Sequence, residues 1–298
     1  MKKLKSLFYP TVIIGNILFS SPVKITINSD NYQTIINQNI GQELANYYLE
    51  KKTINNNPNL TLENSFQVQD EFVKTITPTL GKLVGYKVGL TNKQSQNRFN
   101  VSTPITGILL EKMLLPNNTQ IPVNFGSIPM MEGDLMVRVG NNDINQANTP
   151  EEILANLDTI IPFIELPDLV YAPEVKVDAP ALIAINVGAR LGIMGEEIPL
   201  NNQQDWLDKI DKINLTITDE NNQEIAQGNS GFLLGNPLNV VLWLKNDLQS
   251  RGQQLKKGDL ISLGTVTPII PVKKEGKITA KYTGLIVNET VTISISFY

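Results

Sequence analysis

The run Ile160-Ile-Pro-Phe-Ile164 ends on a carboxylate, Glu165, and a second acid, Asp168, follows three residues later. A continuous apolar run of that length reads as a buried strand, and a carboxylate at its end is costly unless it is paired or bound to metal. Upstream, Glu132-Gly-Asp134 precedes Leu135 to Val139. If Leu135 to Val139 is a strand with Val137 and Val139 on one side, Glu132 and Asp134 sit two residues apart at its entry and point the same way. Two carboxylates on one face repel each other and require a cation. A third acid facing them, Glu165, completes an oxygen-only site suited to Mg²⁺ or Mn²⁺. The plainer alternative for Glu132 and Asp134 is a solvated strand edge. Glu165 fits that alternative less well, because it closes a run with no other polar group.

Composition narrows the chemistry available to such a site. The chain has 298 residues, 41% of them apolar, enough for one large domain or two small ones. Net charge is -4 and no block of basic residues stands out, which argues against nucleic acid as a partner. There is no cysteine, so disulfides, thiolate nucleophiles and cysteine-type zinc sites are excluded. There is no histidine either. Proton transfer must then fall to carboxylates, lysine, tyrosine or metal-bound water.

Along the chain, Lys2, Lys3 and Lys5 precede the apolar stretch Leu7 to Phe19, which Ser20 and Ser21 close. Residues 1–21 read as an export signal, too short and too interrupted by Pro10 and Asn16 to span a bilayer comfortably. A periplasmic or extracellular protein is expected, with an uncleaved membrane anchor or a cytoplasmic protein as alternatives. Residues 22–40 read as a linker, 41–120 as a cap of helices and strands, and 121–298 as the β core. Thr61 caps a helix whose stripe is Phe66, Val68, Phe72, Val73 and Ile76.

Gly81 to Thr91 sets a single Lys87 in a glycine-bracketed apolar strand. Its ammonium either snorkels to water or meets an anion; in the second case a desolvated lysine can bind a carboxylate or shuttle protons. The glycines match neither phosphate-loop pattern. Thr149-Pro150-Glu151-Glu152 opens a helix, Ala181 to Val187 reads as a short apolar strand, Leu215 to Ala226 as a hairpin, and Val291 to Phe297 as a half-buried strand. Many short strands with peripheral helices point to an α+β fold.

Taken in order, these stretches resemble the 2-keto-4-pentenoate hydratase and 4-oxalocrotonate decarboxylase family of the fumarylacetoacetate hydrolase superfamily. The resemblance runs from about Leu62 to Tyr298 and rests on Gln69, Gly85-Tyr-Lys87-Val-Gly-Leu-Thr91, Pro104 with Gly107, Glu132-Gly-Asp134, Pro162-Phe-Ile-Glu165-Leu-Pro-Asp168, Leu234 to Asn239, Leu255 to Asp259 and Gly264-Thr265. It implies a mixed β-roll core, a divalent metal (Mg²⁺ or Mn²⁺) on Glu132, Asp134 and Glu165, and a catalytic Lys87. It also implies substrate contacts at Lys87, Leu135, Asn186 and Thr265, a small 2-oxo acid as substrate, and a homo-oligomer. The implied activity is that of a lyase, hydratase or decarboxylase. Three positions depart from the family pattern: Asp134 stands where glutamate is usual, Ser102, Thr103, Ile105 and Thr106 surround Pro104 without the usual acid, and Ile185-Asn186-Val187-Gly188 replaces an Asp-Asn-x-Ser segment. These departures support a second reading, an exported binding protein on the same scaffold that has lost catalysis.

Overall fold

The computed structural model describes residues 29–201 and 203–298. The expected export signal at 1–21 lies outside the described residues. Two sheets and a set of covering helices make up the described chain, an α+β architecture. The larger sheet has nine strands; its main path runs Ile105–Leu110, Leu83–Gly89, Leu260–Ser262, Met130–Val139, Leu157–Leu166, Leu191–Met194 and Leu114–Pro116. The smaller has five, ordered Glu224–Asn229, Asn214–Thr218, Gly276–Ile286, Glu289–Phe297 and Gln120–Ile121. Among the described residues no helix is long and apolar enough to cross a membrane.

The two central strands of the larger sheet explain its stability. Met130–Val139 and Leu157–Leu166 are buried over almost their whole length. Leu135, Val137, Val139, Ile160 and Ile164 belong to the main core, together with Leu215, Ile217 and Ile293 from the smaller sheet. Met136, Ile161 and Phe163 belong to a second, smaller apolar cluster with Leu109. With side chains alternating across a strand, the central strands are therefore apolar on both faces, and the acids Glu132, Asp134 and Glu165 lie on the face that carries Met136 and Phe163.

Three expectations need correction. A helix, Ser29–Leu49, begins inside the stretch 22–40 read as a linker. Its inward stripe includes Asn37 as well as Leu44, Ala45 and Tyr48, and Asn37 gives its amide to Gln67 Oε1 at 2.7 Å; a buried polar residue at a stripe position hides helical periodicity from a hydrophobicity pattern. Second, no boundary falls at residue 120, because the strand bearing Lys87 pairs in parallel with Leu260–Ser262. The presumed cap thus contributes three strands to the larger sheet, Leu83–Gly89, Ile105–Leu110 and Leu114–Pro116. Third, Ala181 to Val187 is not a strand. Asp178 accepts a hydrogen bond from Ala181 N at 3.0 Å and Pro180 sits in the first turn, which starts the helix Ala179–Ala184.

The glycine bracket around Lys87 has a steric cause at Gly85, where a Cβ would fall 1.9 Å from Leu260 O in the paired strand. Gly85→Ala is expected to destabilise the fold by about 3 kcal/mol or more, since the clash is with backbone that cannot repack. Urea unfolding measures it, and a loss under about 1 kcal/mol would mean that the strands do not approach this closely.

Candidate metal and active site

Strand register gathers the site. Antiparallel pairing sets Glu132 opposite Glu165 and Asp134 opposite Phe163. On the other side, Lys87 lies opposite Ser262, and Ser262 opposite Met136. Directly opposed residues share a face, so Lys87, Ser262, Asp134, Glu132 and Glu165 occupy one side of three neighbouring strands and the strand beyond. All four predicted ionisable residues are buried: Glu132 is 8% exposed, Lys87 4%, Glu165 2% and Asp134 0%. The solvated-edge alternative for Glu132 and Asp134, and the snorkelling alternative for Lys87, are both removed by this burial.

Lys87 Nζ makes an ion pair with Glu165 Oε1 and donates to Val187 O at 3.0 Å. The Val187 carbonyl is presented by a short segment in which Asn186 and Val187 both hold positive φ, 56° and 55°. For a β-branched residue that is a true outlier, sustained only by its surroundings. Asn186 supplies much of the restraint: its side chain accepts from Ile108 N at 2.7 Å and donates to Ile108 O at 2.8 Å. At Gly107, a Cβ would lie 2.8 Å from both Lys87 Cγ and Asn186 O, so a glycine is what lets the lysine and this segment meet.

Asp134 is held from two sides, by Ser262 Oγ on Oδ2 and by Leu135 N on Oδ1. Behind it, Tyr282 reaches across from the smaller sheet. Its hydroxyl lies 2.7 Å from Phe163 O and 3.1 Å from Asp134 O, and it accepts from Phe163 N at 3.1 Å. Burial raises the carboxyl pKa of Glu132 well above its ordinary value, and the charge of Glu165 adds to the rise while Lys87 opposes it. Asp134 is raised for the same reasons, first burial and then Glu165, against the hydrogen bonds from Ser262 and Leu135.

The donor set fits a divalent cation in its chemistry. Three buried carboxylates offer only hard oxygen ligands, and Glu165 Oε2 is buried without any hydrogen-bond partner, an atom a cation would satisfy. The fit is incomplete in geometry: among the described residues, no three acidic side chains stand as a closed metal cage. The positive group that meets Glu165 is the Lys87 ammonium.

The other predicted contacts fare differently. Leu135 turns its side chain into the main core. Asn186 uses both polar atoms of its side chain on Ile108, which makes it a clamp for the Val187 carbonyl rather than a group free for a ligand. Thr265 donates its hydroxyl to Thr267 O. Sequence reasoning missed Ser262, although a lone serine in the apolar run Leu260 to Leu263 is the same kind of signal that singled out Lys87. Tyr282 carried no signal, since its role depends on which sheet packs against which.

No protein-family model matches the chain. The chain is 26% identical over 261 residues to 4-oxalocrotonate decarboxylase of Pseudomonas putida, covering 87% of this chain and 96% of that one. It is 28% identical over 228 residues to 2-oxo-hept-4-ene-1,7-dioate hydratase of Escherichia coli, covering 73% and 81%. The solved structure of 4-oxalocrotonate decarboxylase from Pseudomonas putida G7, complexed with magnesium and adipate, matches with a TM-score of 0.78 at 22% identity, over 92% of this chain and 99% of that one. The chain is a homologue of the 4-oxalocrotonate decarboxylases and 2-keto-4-pentenoate hydratases. Its fold is that of the fumarylacetoacetate hydrolase superfamily, to which the solved decarboxylase belongs. The family resemblance read from the motifs is thereby borne out.

The raised carboxyls give a pH prediction with a definite sign. Glu132 and Asp134 hold protons in the folded state above their ordinary values of 4.5 and 3.8, so the folded chain binds more protons than the unfolded one there. Their contribution to stability is therefore lost as pH rises above those values. In chelator, the melting temperature is expected to fall between about pH 5.5 and about pH 8, and the fall to shrink in Glu132→Gln. Excess Mg²⁺ is expected to raise it more at the higher pH, because cation and proton compete. An equal Mg²⁺ effect at both values would show that these carboxyls do not bind the ion.

Proposed function

We propose that the chain is a divalent-metal-dependent lyase, a hydratase or decarboxylase, acting on a small 2-oxo or 2-hydroxydienoic acid. The observation that carries this reading is the burial of Lys87 against Glu165 within a cluster of three carboxylates, in a chain with no histidine to move protons. The homologues' names, with decarboxylases and hydratases both represented, support the reaction class.

Glu132, Asp134 and Glu165 would hold the ion. When bound, a cation of this kind supplies Lewis-acid stabilisation of negative charge developing on the substrate's oxygens. The chain's own residues do the rest. Lys87 Nζ offsets the carboxylate charge of the substrate and is the group placed to give or take a proton at substrate carbon or oxygen. Val187 O and Glu165 fix the direction of that ammonium. Ser262 holds Asp134 in position, and the apolar side chains of Met136, Ile161 and Phe163 beside the acids limit water around the reacting group.

The test is loss of ultraviolet absorbance of 2-hydroxypenta-2,4-dienoate, and release of CO₂ from 4-oxalocrotonate, each with Mg²⁺ and with chelator. Turnover of one of them that depends on metal is expected. Lys87→Ala and Glu165→Gln are each expected to lower kcat by about a hundredfold or more, the usual scale for losing a positioned acid–base group or a metal's charge. Metal binding by calorimetry with no turnover on either acid would instead favour a binding protein on this scaffold.

A further inference from the structure

Beyond the carboxylate cluster, unexplained features concentrate where the Lys87 strand ends. Among the described residues, Thr91 Oγ1 and Gln96 Oε1 are buried without a hydrogen-bond partner, as is Glu165 Oε2. Thr91 is 1% exposed and Gln96 2%. The Gln96 amide nitrogen is already used on Leu90 O at 3.0 Å. Leu90 and Leu234, bulky residues that rarely enter the left-handed region, hold φ values of 59° and 52°, and Leu234 N donates to Thr91 O at 2.9 Å. Strain held by surrounding contacts on both sides of a buried, unpartnered hydroxyl is the pattern found at ligand clamps.

Packing connects this hydroxyl to the acids. A Cβ at Gly264 would lie 2.5 Å from Thr91 Oγ1 and 2.6 Å from Val88 O, so the turn at Gly264 rests directly on Thr91. The same turn is bonded to Gly133, the residue between Glu132 and Asp134: Val266 N donates to Gly133 O at 2.8 Å, and Gly133 N to Thr267 Oγ1 at 2.9 Å. One turn therefore contacts both the free hydroxyl and the strand that carries the paired carboxylates.

We infer that Thr91 is a specificity-determining residue, whose hydroxyl donates a hydrogen bond to the carboxylate head of the bound 2-oxo acid. This rests on the reading of the Lys87 and carboxylate cluster as a site for such acids. An oxygen of the ligand gives the hydroxyl the partner that the protein does not, and a ligand presenting a methyl group there would leave it unpaired.

Thr91→Val removes the hydroxyl at nearly constant volume. Because no protein group bonds to that hydroxyl, the melting temperature is expected to stay level or rise. In the same protein, affinity for oxalate in excess Mg²⁺, measured by calorimetry, is expected to fall by about tenfold or more, while Thr91→Ser retains the wild-type affinity. Oxalate bound as tightly by Thr91→Val as by the wild type overturns the inference. So does a fall in melting temperature that accompanies the loss of binding and persists in Thr91→Ser, since the residue would then serve the fold alone. Wild-type protein that binds oxalate but turns over neither test acid counts against the lyase reading only, because the Thr91 comparison is read from binding. Wild-type protein that binds no oxalate overturns both.

Discussion

Charge balance inside the larger sheet is the constraint on which the rest of the structure depends. Three carboxylates and one ammonium occupy a region almost closed to water, where an unpaired charge costs several kcal/mol, about as much as a small protein's whole margin of stability. The chain meets this in two ways visible in the structure. Lys87 is set directly against Glu165, and Glu132 and Asp134 are pushed toward their protonated forms. Neither device maximises stability, since an apolar core of the same volume is often as stable or more so.

Placement of the cluster on central strands follows from the same constraint. Side chains that must stay within hydrogen-bonding distance despite mutual repulsion need rigid supports, and paired strands fix their spacing more firmly than loops do. Glu132 and Glu165 are opposed residues in a ladder flanked on both sides by further strands. The neighbouring groups serve that rigidity. Ser262 anchors one oxygen of Asp134, and Tyr282 bonds to the backbone of both Asp134 and Phe163, tying the smaller sheet to the seam between the acid-bearing strands. Of the three clustered acids, Asp134 accepts two hydrogen bonds from the protein, from Leu135 N and Ser262 Oγ.

What was legible in the sequence was whatever depends on near neighbours along the chain. The apolar run before Glu165, the two-residue spacing of Glu132 and Asp134, and the glycines around Lys87 are local patterns, and each points to the strand where it is found. The spacing of Leu44, Tyr47 and Tyr48 marks the C-terminal part of the helix Ser29–Leu49, while its earlier part was hidden because the buried stripe passes through Asn37, whose partner Gln67 lies on another helix. Ala181 to Val187 has the composition of a strand, yet the capping chemistry of Asp178 and Pro180 decided the matter. The pairing of the Lys87 strand with Leu260–Ser262 joins residues more than 170 positions apart, and no spacing rule reaches that far. Tyr282 was missed for that reason, Ser262 although a lone serine in the run Leu260 to Leu263 is a local signal, and Val187 because its contribution is a backbone carbonyl, which carries no residue identity.

The lack of histidine gives Lys87 a role that cannot be shared. At a site with imidazole, position and proton affinity can be divided between two side chains; in the proposed reaction Lys87, buried and paired with Glu165, would both offset charge and carry the proton. Such a group has to be held in a fixed direction while still able to exchange its contacts. A partner in the backbone and a partner in a carboxylate meet that need differently. Val187 O, kept in place by the Asn186 clamp and by a conformation costly for valine, is a contact that does not titrate and so survives any change in the charge of the cluster. In the proposed reaction Glu165 is the contact that would change, since its Oε2 is buried without a hydrogen-bond partner. The strained segment at residues 186–187 therefore acts as the fixed half of the lysine's environment, and the carboxylate as the variable half.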